Sequence, residues 1–176
     1  FCQKKGESLT REEFDRLISC SIPGFRGMRD RAMLMLLCDV GLRVSEMVEL
    51  NREDFFDGVL SCGTGKRRRA LPLSPAVSRA LETYSSVAEL YPVFEEKRPL
   101  FITAKGTRLT RQGFWKNLKD RAIFSGVDKP ISPQTLRNSL ALHLMEEGKA
   151  REEIRILLGN ADVASLRGYE FRKRDV

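Results

Sequence analysis

Residues 27–40 constrain the fold more than any other stretch. Met28, Ala32, Leu34, Met35, Leu36 and Leu37 make a helix that is apolar around most of its surface. Such a helix is stable only where other elements cover it on most sides. Gly41 follows its last turn, the place where a left-handed residue ends a helix. The longest apolar run, Ala32 to Cys38, falls far short of the roughly 20 residues that cross a bilayer. The segment therefore reads as the centre of a soluble core.

The remaining sequence supplies the covering elements. Thr10-Arg11-Glu12-Glu13 has the form of a capping box and predicts a helix from Arg11 to Cys20. Ser74-Pro75 and Ser132-Pro133 each place an N-cap before a proline at the first helical position. They open helices that run to about Leu90 and Glu147. Thr110 opens another, with Phe114, Trp115, Leu118 and Ile123 as its apolar side. Short helical turns are expected at Val44–Leu50, Glu152–Leu158 and Val163–Arg167. Between Asn51 and Leu73 the period changes. Gly58–Cys62 and Arg69–Leu73 read as strands about a Gly63-Thr64-Gly65 turn. A hairpin or three-stranded sheet follows, with Lys66, Arg67, Arg68 and Arg69 at its tip. Leu100–Thr103 reads as a further short strand or turn. The fold class is mainly α with a small antiparallel β-sheet, α+β, in one domain.

The net charge is +7 and the isoelectric point about 9.5, a surplus that favours polyanionic partners, nucleic acid first. Cys2, Cys20, Cys38 and Cys62 are scattered and lack the spacing of a zinc site or disulfide framework. They read as reduced thiols. Phe1 is not followed by a signal-peptide layout, so a cytoplasmic protein without a membrane partner is expected.

Three stretches stand out together: Gly41-Leu42-Arg43-Val44-Ser45-Glu46, Ser132-Pro133-Gln134-Thr135-Leu136-Arg137, and Leu157-Leu158-Gly159-Asn160-Ala161-Asp162 with Tyr169 nine residues beyond Asn160 (169 − 160). In order and spacing they resemble the motifs of the tyrosine recombinases, or phage integrases, above all the Xer type. The resemblance runs from Leu9-Thr10-Arg11-Glu12-Glu13 to Tyr169. It implies a tyrosine recombinase catalytic-domain fold over 9–176, with residues 1–8 a residual linker. The family's N-terminal core-binding domain and C-terminal docking helix would lie outside this sequence.

The resemblance also implies a chemistry. A tyrosine hydroxyl attacks a DNA phosphodiester, forms a 3′-phosphotyrosyl bond and releases a 5′-hydroxyl, with neither metal nor cofactor. Arg43 and Arg137 match the two family arginines, and guanidinium forks suit the charge that builds on phosphoryl oxygens. Tyr169 matches the nucleophile, although Gly168 before it departs from the bulkier family residue. Three positions are degenerate. Thr64 stands where the family has its hairpin lysine, Gln134 where it has a histidine, and Asn160 where it has histidine or tryptophan. Thr, Gln and Asn donate hydrogen bonds but do not exchange protons near neutral pH. Lys66, two residues past Thr64, is the substitute acid to consider.

Two functions follow. One is a DNA recombinase that cleaves slowly unless Lys66 substitutes; the other is a catalytically impaired family member acting as a DNA-binding or regulatory module. Lys66, Arg67, Arg68, Arg69, Lys116 and Lys119 are the expected DNA contacts, with Arg121 extending the footprint. His143, the single histidine, is expected to be structural. The partner is duplex DNA. The parent protein is expected to self-associate on DNA, as a tetramer in the family, and this fragment to be monomeric in solution.

Overall fold

The computed structural model describes residues 8–65, 68–94 and 96–158. Seven α-helices occur among them: α1 (Arg11–Ser19), α2 (Gly24–Asp39), α3 (Val44–Glu49), α4 (Pro75–Ala88), α5 (Arg111–Phe124), α6 (Pro133–Glu146) and α7 (Arg151–Leu157). Three short strands, β1 (Phe55–Phe56), β2 (Val59–Cys62) and β3 (Arg69–Pro72), form an antiparallel sheet in sequence order. The turn of helix expected at Val163–Arg167 lies outside the described residues.

The apolar helix is the centre of the molecule. α2 packs against α1, α4, α5 and α6. Met33, Leu34, Leu36 and Leu37 are fully buried within it, each removal from water stabilising by about 1.5–3 kcal/mol. α2 ends where the sequence places its stop: Val40 caps it and Gly41 follows at φ +62°. It begins earlier than expected, at Gly24 with Pro23 as N-cap. Inside it, Gly27 lies so close to the preceding chain that an added Cβ would sit 1.6 Å from the Ile22 carbonyl oxygen. Met28, counted among the apolar positions, is partly exposed.

The predicted caps are present. Thr10 closes the capping box with Glu13, and the Ser74, Thr110 and Ser132 side chains each accept an N–H from the first turn of their helices. The sheet is the three-stranded alternative, with Cys62 opposite Arg69 and Phe55 opposite Leu60. The Gly63-Thr64-Gly65 turn needs its glycines, since both take positive φ (83° and 54°). The 99–108 stretch makes isolated bridges, Asn51 to Pro99 and Ile102 to Arg108.

Buried polar groups tie these elements together. Arg29 is almost wholly buried, bonds Asp30 (2.9 Å) and donates to the Ile102 carbonyl (3.0 Å). Asn117 of α5 donates to the same Asp30 carboxylate. The segment opening α1 is strapped to α6. The Leu9 N–H donates to Ser139 Oγ (2.7 Å), Arg11 pairs with Glu147, and Phe14 meets His143 edge-on at 5.0 Å.

Arg121 is the main correction to the expected surface. It is 1% exposed, and its Nε donates to the Leu17 carbonyl (2.8 Å) while Nη2 donates to those of Ile18 (3.0 Å) and Cys20 (2.6 Å). It caps the C-terminus of α1, where carbonyls lack helical partners and a cation is favoured. It therefore does not extend a DNA footprint. Its place on the core face is legible in the spacing of Phe114, Leu118, Arg121 and Ala122, which are the buried residues of α5.

Candidate functional site

The two arginine-bearing segments meet. Arg137 lies on α6, one turn inside the Ser132 cap, and is 6% exposed. Its Nη1 donates to the Gly41 carbonyl and its Nη2 to the Leu158 carbonyl (2.9 Å). The guanidinium is thus fixed between the end of α2 and the end of α7. Gly41 makes this possible. Its positive φ turns the chain, and an added Cβ would lie 2.2 Å from Leu158 Cδ2, so a side chain there would push apart the two carbonyls that hold Arg137.

Arg43, two residues after Gly41, is the N-cap residue of α3 and is half-buried. Its backbone N–H donates to Glu46 Oε2 (2.9 Å), the reciprocal half of a capping box. Glu46 is the site residue that the motif reading did not single out. Its carboxylate also receives Arg69 from β3, Nη1 to Oε1 at 2.7 Å and Nη2 to Oε2 at 3.2 Å. Burial raises the Glu46 pKa, but the Arg69 hydrogen bonds, the Arg43 N–H and the charges of Arg69 and Arg137 outweigh it. The carboxyl ends below its ordinary value and stays ionised near neutral pH. The signal for it was present in Arg43-Val44-Ser45-Glu46, which carries glutamate at the capping-box spacing without a Ser or Thr cap.

Arg69 therefore leaves the run of four tip cations. Its side chain is 13% exposed and its guanidinium is committed to Glu46. Arg68 is exposed, its backbone N–H bonded to the Gly65 carbonyl. Lys66 and Arg67 lie outside the described residues, as do Asn160 and Tyr169. Thr64 is exposed on the turn. Gln134 is exposed one turn before Arg137 on α6, its Nε2 donating to Asn138 Oδ1 (2.6 Å). Lys116 and Lys119 are exposed on α5, with the Lys119 ammonium 5.3 Å from the centre of the Trp115 ring.

His143 faces the strap, not the arginines. Burial first, then the nearby Arg11 charge, holds its pKa below the ordinary imidazole value; Glu146, the Leu9 backbone and Glu147 oppose this. Among the described residues, no group of His, Cys, Asp and Glu could hold a metal ion, and no helix is long and apolar enough to cross a membrane. Cys20, Cys38 and Cys62 are free thiols.

The sequence profile of the phage integrase family matches residues 7–173. The chain is 38% identical over 172 residues to the tyrosine recombinase XerD of Oceanobacillus iheyensis, covering 95% of this chain and 58% of that protein. It is 35% identical over 175 residues to the tyrosine recombinase XerC of Herpetosiphon aurantiacus, covering 96% and 57%. The chain thus spans under two thirds of the length of these relatives. In fold it is similar to the crystal structure of XerA recombinase, with a TM-score of 0.84 at 22% identity over 95% of this chain and 61% of that one. It is also similar to XerH site-specific recombinase bound to a palindromic difH substrate, with a TM-score of 0.79 at 24% identity over 92% and 48%. By sequence and by architecture, this chain is a Xer-like tyrosine recombinase domain and belongs to the phage integrase family.

Proposed function

We propose that the domain binds duplex DNA and seats one backbone phosphate between Arg43 and Arg137. The observation that supports this most is the buried Arg137 guanidinium, oriented by the Gly41 and Leu158 carbonyls beside the segment that carries Arg43. A cation held this way needs little reorganisation when an anion arrives, and the low dielectric around it strengthens the attraction. Tyr169 is the nucleophile of this reading. Its oxygen bonds to phosphorus, the 5′ oxygen leaves, and a 3′-phosphotyrosyl bond results.

The leaving oxygen needs a proton. Thr64, Gln134 and Asn160 supply hydrogen bonds only, and general acid–base help is worth about 10²- to 10⁴-fold. Cleavage is therefore slow, and DNA binding is the property retained in full, unless Lys66 serves as the acid. Membership of a DNA breaking–rejoining family favours the slow enzyme; the three replaced positions favour the second reading, a DNA-binding or regulatory module. Lys116, Lys119, Arg68, Lys66 and Arg67 contact phosphates without reading sequence. In the parent protein, assembly into a tetramer on DNA goes with this reading.

The test is a library of nicked suicide duplexes with a randomised core, incubated with wild type, Tyr169→Phe and Lys66→Ala. Slow accumulation of an SDS-resistant complex, absent in Tyr169→Phe, is expected. Rapid accumulation overturns the slow-cleavage reading. Loss of that rapid complex in Lys66→Ala identifies the substitute acid; an unchanged rate eliminates it.

A further inference from the structure

Glu46 presents a difficulty for an anion site. It is an ionised carboxylate within reach of the Arg137 charge, and it accepts the N–H of Arg43. Left alone, it would subtract from the positive potential that Arg43 and Arg137 offer a phosphate. The sheet supplies a counter-charge. Arg69 reaches from β3 and meets both carboxylate oxygens end-on, at 2.7 and 3.2 Å. Both side chains are nearly enclosed, 13% and 12% exposed.

The contact brings charge as well as hydrogen bonds. Arg69 Nε is buried and has no hydrogen-bond partner among the described residues. The guanidinium instead spends both Nη groups on Glu46. Cys62, directly opposite Arg69 in the sheet, feels both charges, and burial pushes its thiol up to about 11. It is therefore neutral near pH 7 and adds no negative charge.

We propose that Arg69 is a positioning residue that neutralises Glu46 and holds its carboxylate on the Arg43 N–H, so that the Arg43–Arg137 pair presents its full positive charge to a DNA phosphate. This rests on the phosphate-binding reading of Arg43 and Arg137. It assigns a role to a residue that composition alone puts among the hairpin's DNA contacts. The bond also ties β3, one leg of the hairpin, to the first turn of α3.

Sulfate is the probe, because it mimics a phosphate and does not titrate between pH 5 and 8. Its binding to the full chain is followed by NMR of the arginine Nε–H groups, with Arg43→Ala and Arg137→Ala as controls. Wild type is expected to show one site, lost in both controls and flat across this pH range. In Arg69→Met, an unpaired Glu46 carboxylate weakens sulfate binding at least tenfold at pH 7.5, the change that one unit charge about 12 Å from another makes at an effective dielectric near 20. The charged groups acting on that carboxylate are Arg137 from α6 and, from the sheet, Arg69 itself. Without Arg69 the Glu46 pKa rises, so affinity recovers as the pH falls toward 5. Arg69→Met with Glu46→Gln restores wild-type affinity at every pH, and Arg69→Lys retains most of it.

Glu46→Gln alone gives the opposite sign, about tenfold tighter sulfate binding. It provides the test even where Arg69→Met does not fold. An Arg69→Met protein that binds sulfate like wild type overturns the proposal. So does a loss that is equal at all pH values and unrelieved by Glu46→Gln, or a Glu46→Gln protein that binds more weakly. Absence of any Arg43- and Arg137-dependent sulfate site in wild type overturns the phosphate-binding reading itself.

Discussion

Arg121→Met separates structure from binding. Arg121 gives hydrogen bonds to three carbonyls at the end of α1. Bonds from a charged donor contribute about 1.5–3 kcal/mol each, but this guanidinium also carries a buried Nη1 without a partner among the described residues. Methionine removes that unpaired group and fills much of the space, while leaving the carbonyls of Leu17, Ile18 and Cys20 without donors. Ile18 and Cys20 are half-buried, so water takes up part of the loss there. The net cost is about 2–4 kcal/mol. At roughly 2–4 °C per kcal/mol for a chain of this size, Tm falls by about 5–15 °C. Calorimetry measures the shift, and anisotropy on a fluorescein-labelled 30-base-pair duplex measures DNA affinity well below Tm, which should be unchanged. A loss of DNA affinity with Tm intact would refute the assignment and return Arg121 to the DNA-facing surface.

Lys116→Ala with Lys119→Ala gives the converse: unchanged Tm, and a slope of log affinity against log salt reduced by about 1 per phosphate contact removed. An unchanged slope in the same anisotropy assay removes α5 from the footprint. Gly41→Ala destabilises by about 1–3 kcal/mol, because φ is +62° and the new Cβ meets Leu158; chemical denaturation reads this, and a neutral result would show that Gly41 does not set the Arg137 carbonyl frame. Glu46 has a lowered pKa in the folded state, so its stabilising contribution is complete above its unfolded value of about 4.3 and is lost as pH falls through the lower folded value. Calorimetry from pH 3 to 7 should show a shallower acid-side loss of Tm in Glu46→Gln than in wild type, and equal slopes would contradict the pairing.

Much of the fold follows from local signals. The Ser74-Pro75, Thr110 and Ser132-Pro133 starts are read from cap chemistry, which acts within one turn and needs no tertiary knowledge. The central position of α2 follows from its all-round apolar surface. The start of α2 was missed because its N-cap, Pro23, offers no capping side chain and Pro23-Gly24 reads as a chain break. The charged side chains were harder to place. Arg69 and Arg121 resemble surface cations by composition, and only their partners, Glu46 and the end of α1, reveal them as interior. For Arg121 the buried face of α5 held a clue. For Arg69 the clue was the strand period, which puts it on the same face of β3 as buried Leu71, but its partner Glu46 lies 23 residues away in sequence. The approach of Arg137 to the segment that carries Arg43 was legible only through motif order, since 96 residues separate Gly41 from the arginine that bonds it.

Under the proposed function, Arg43 and Arg137 grip one phosphate of duplex DNA. A crystal structure of the Tyr169→Phe chain bound to a duplex selected from the randomised library tests it most directly. Both guanidinium groups should lie about 3 Å from oxygens of the same phosphate, with Arg69 still paired to Glu46. A complex in which Lys116, Lys119 and Arg68 hold the DNA while Arg43 and Arg137 touch no phosphate would contradict the claim.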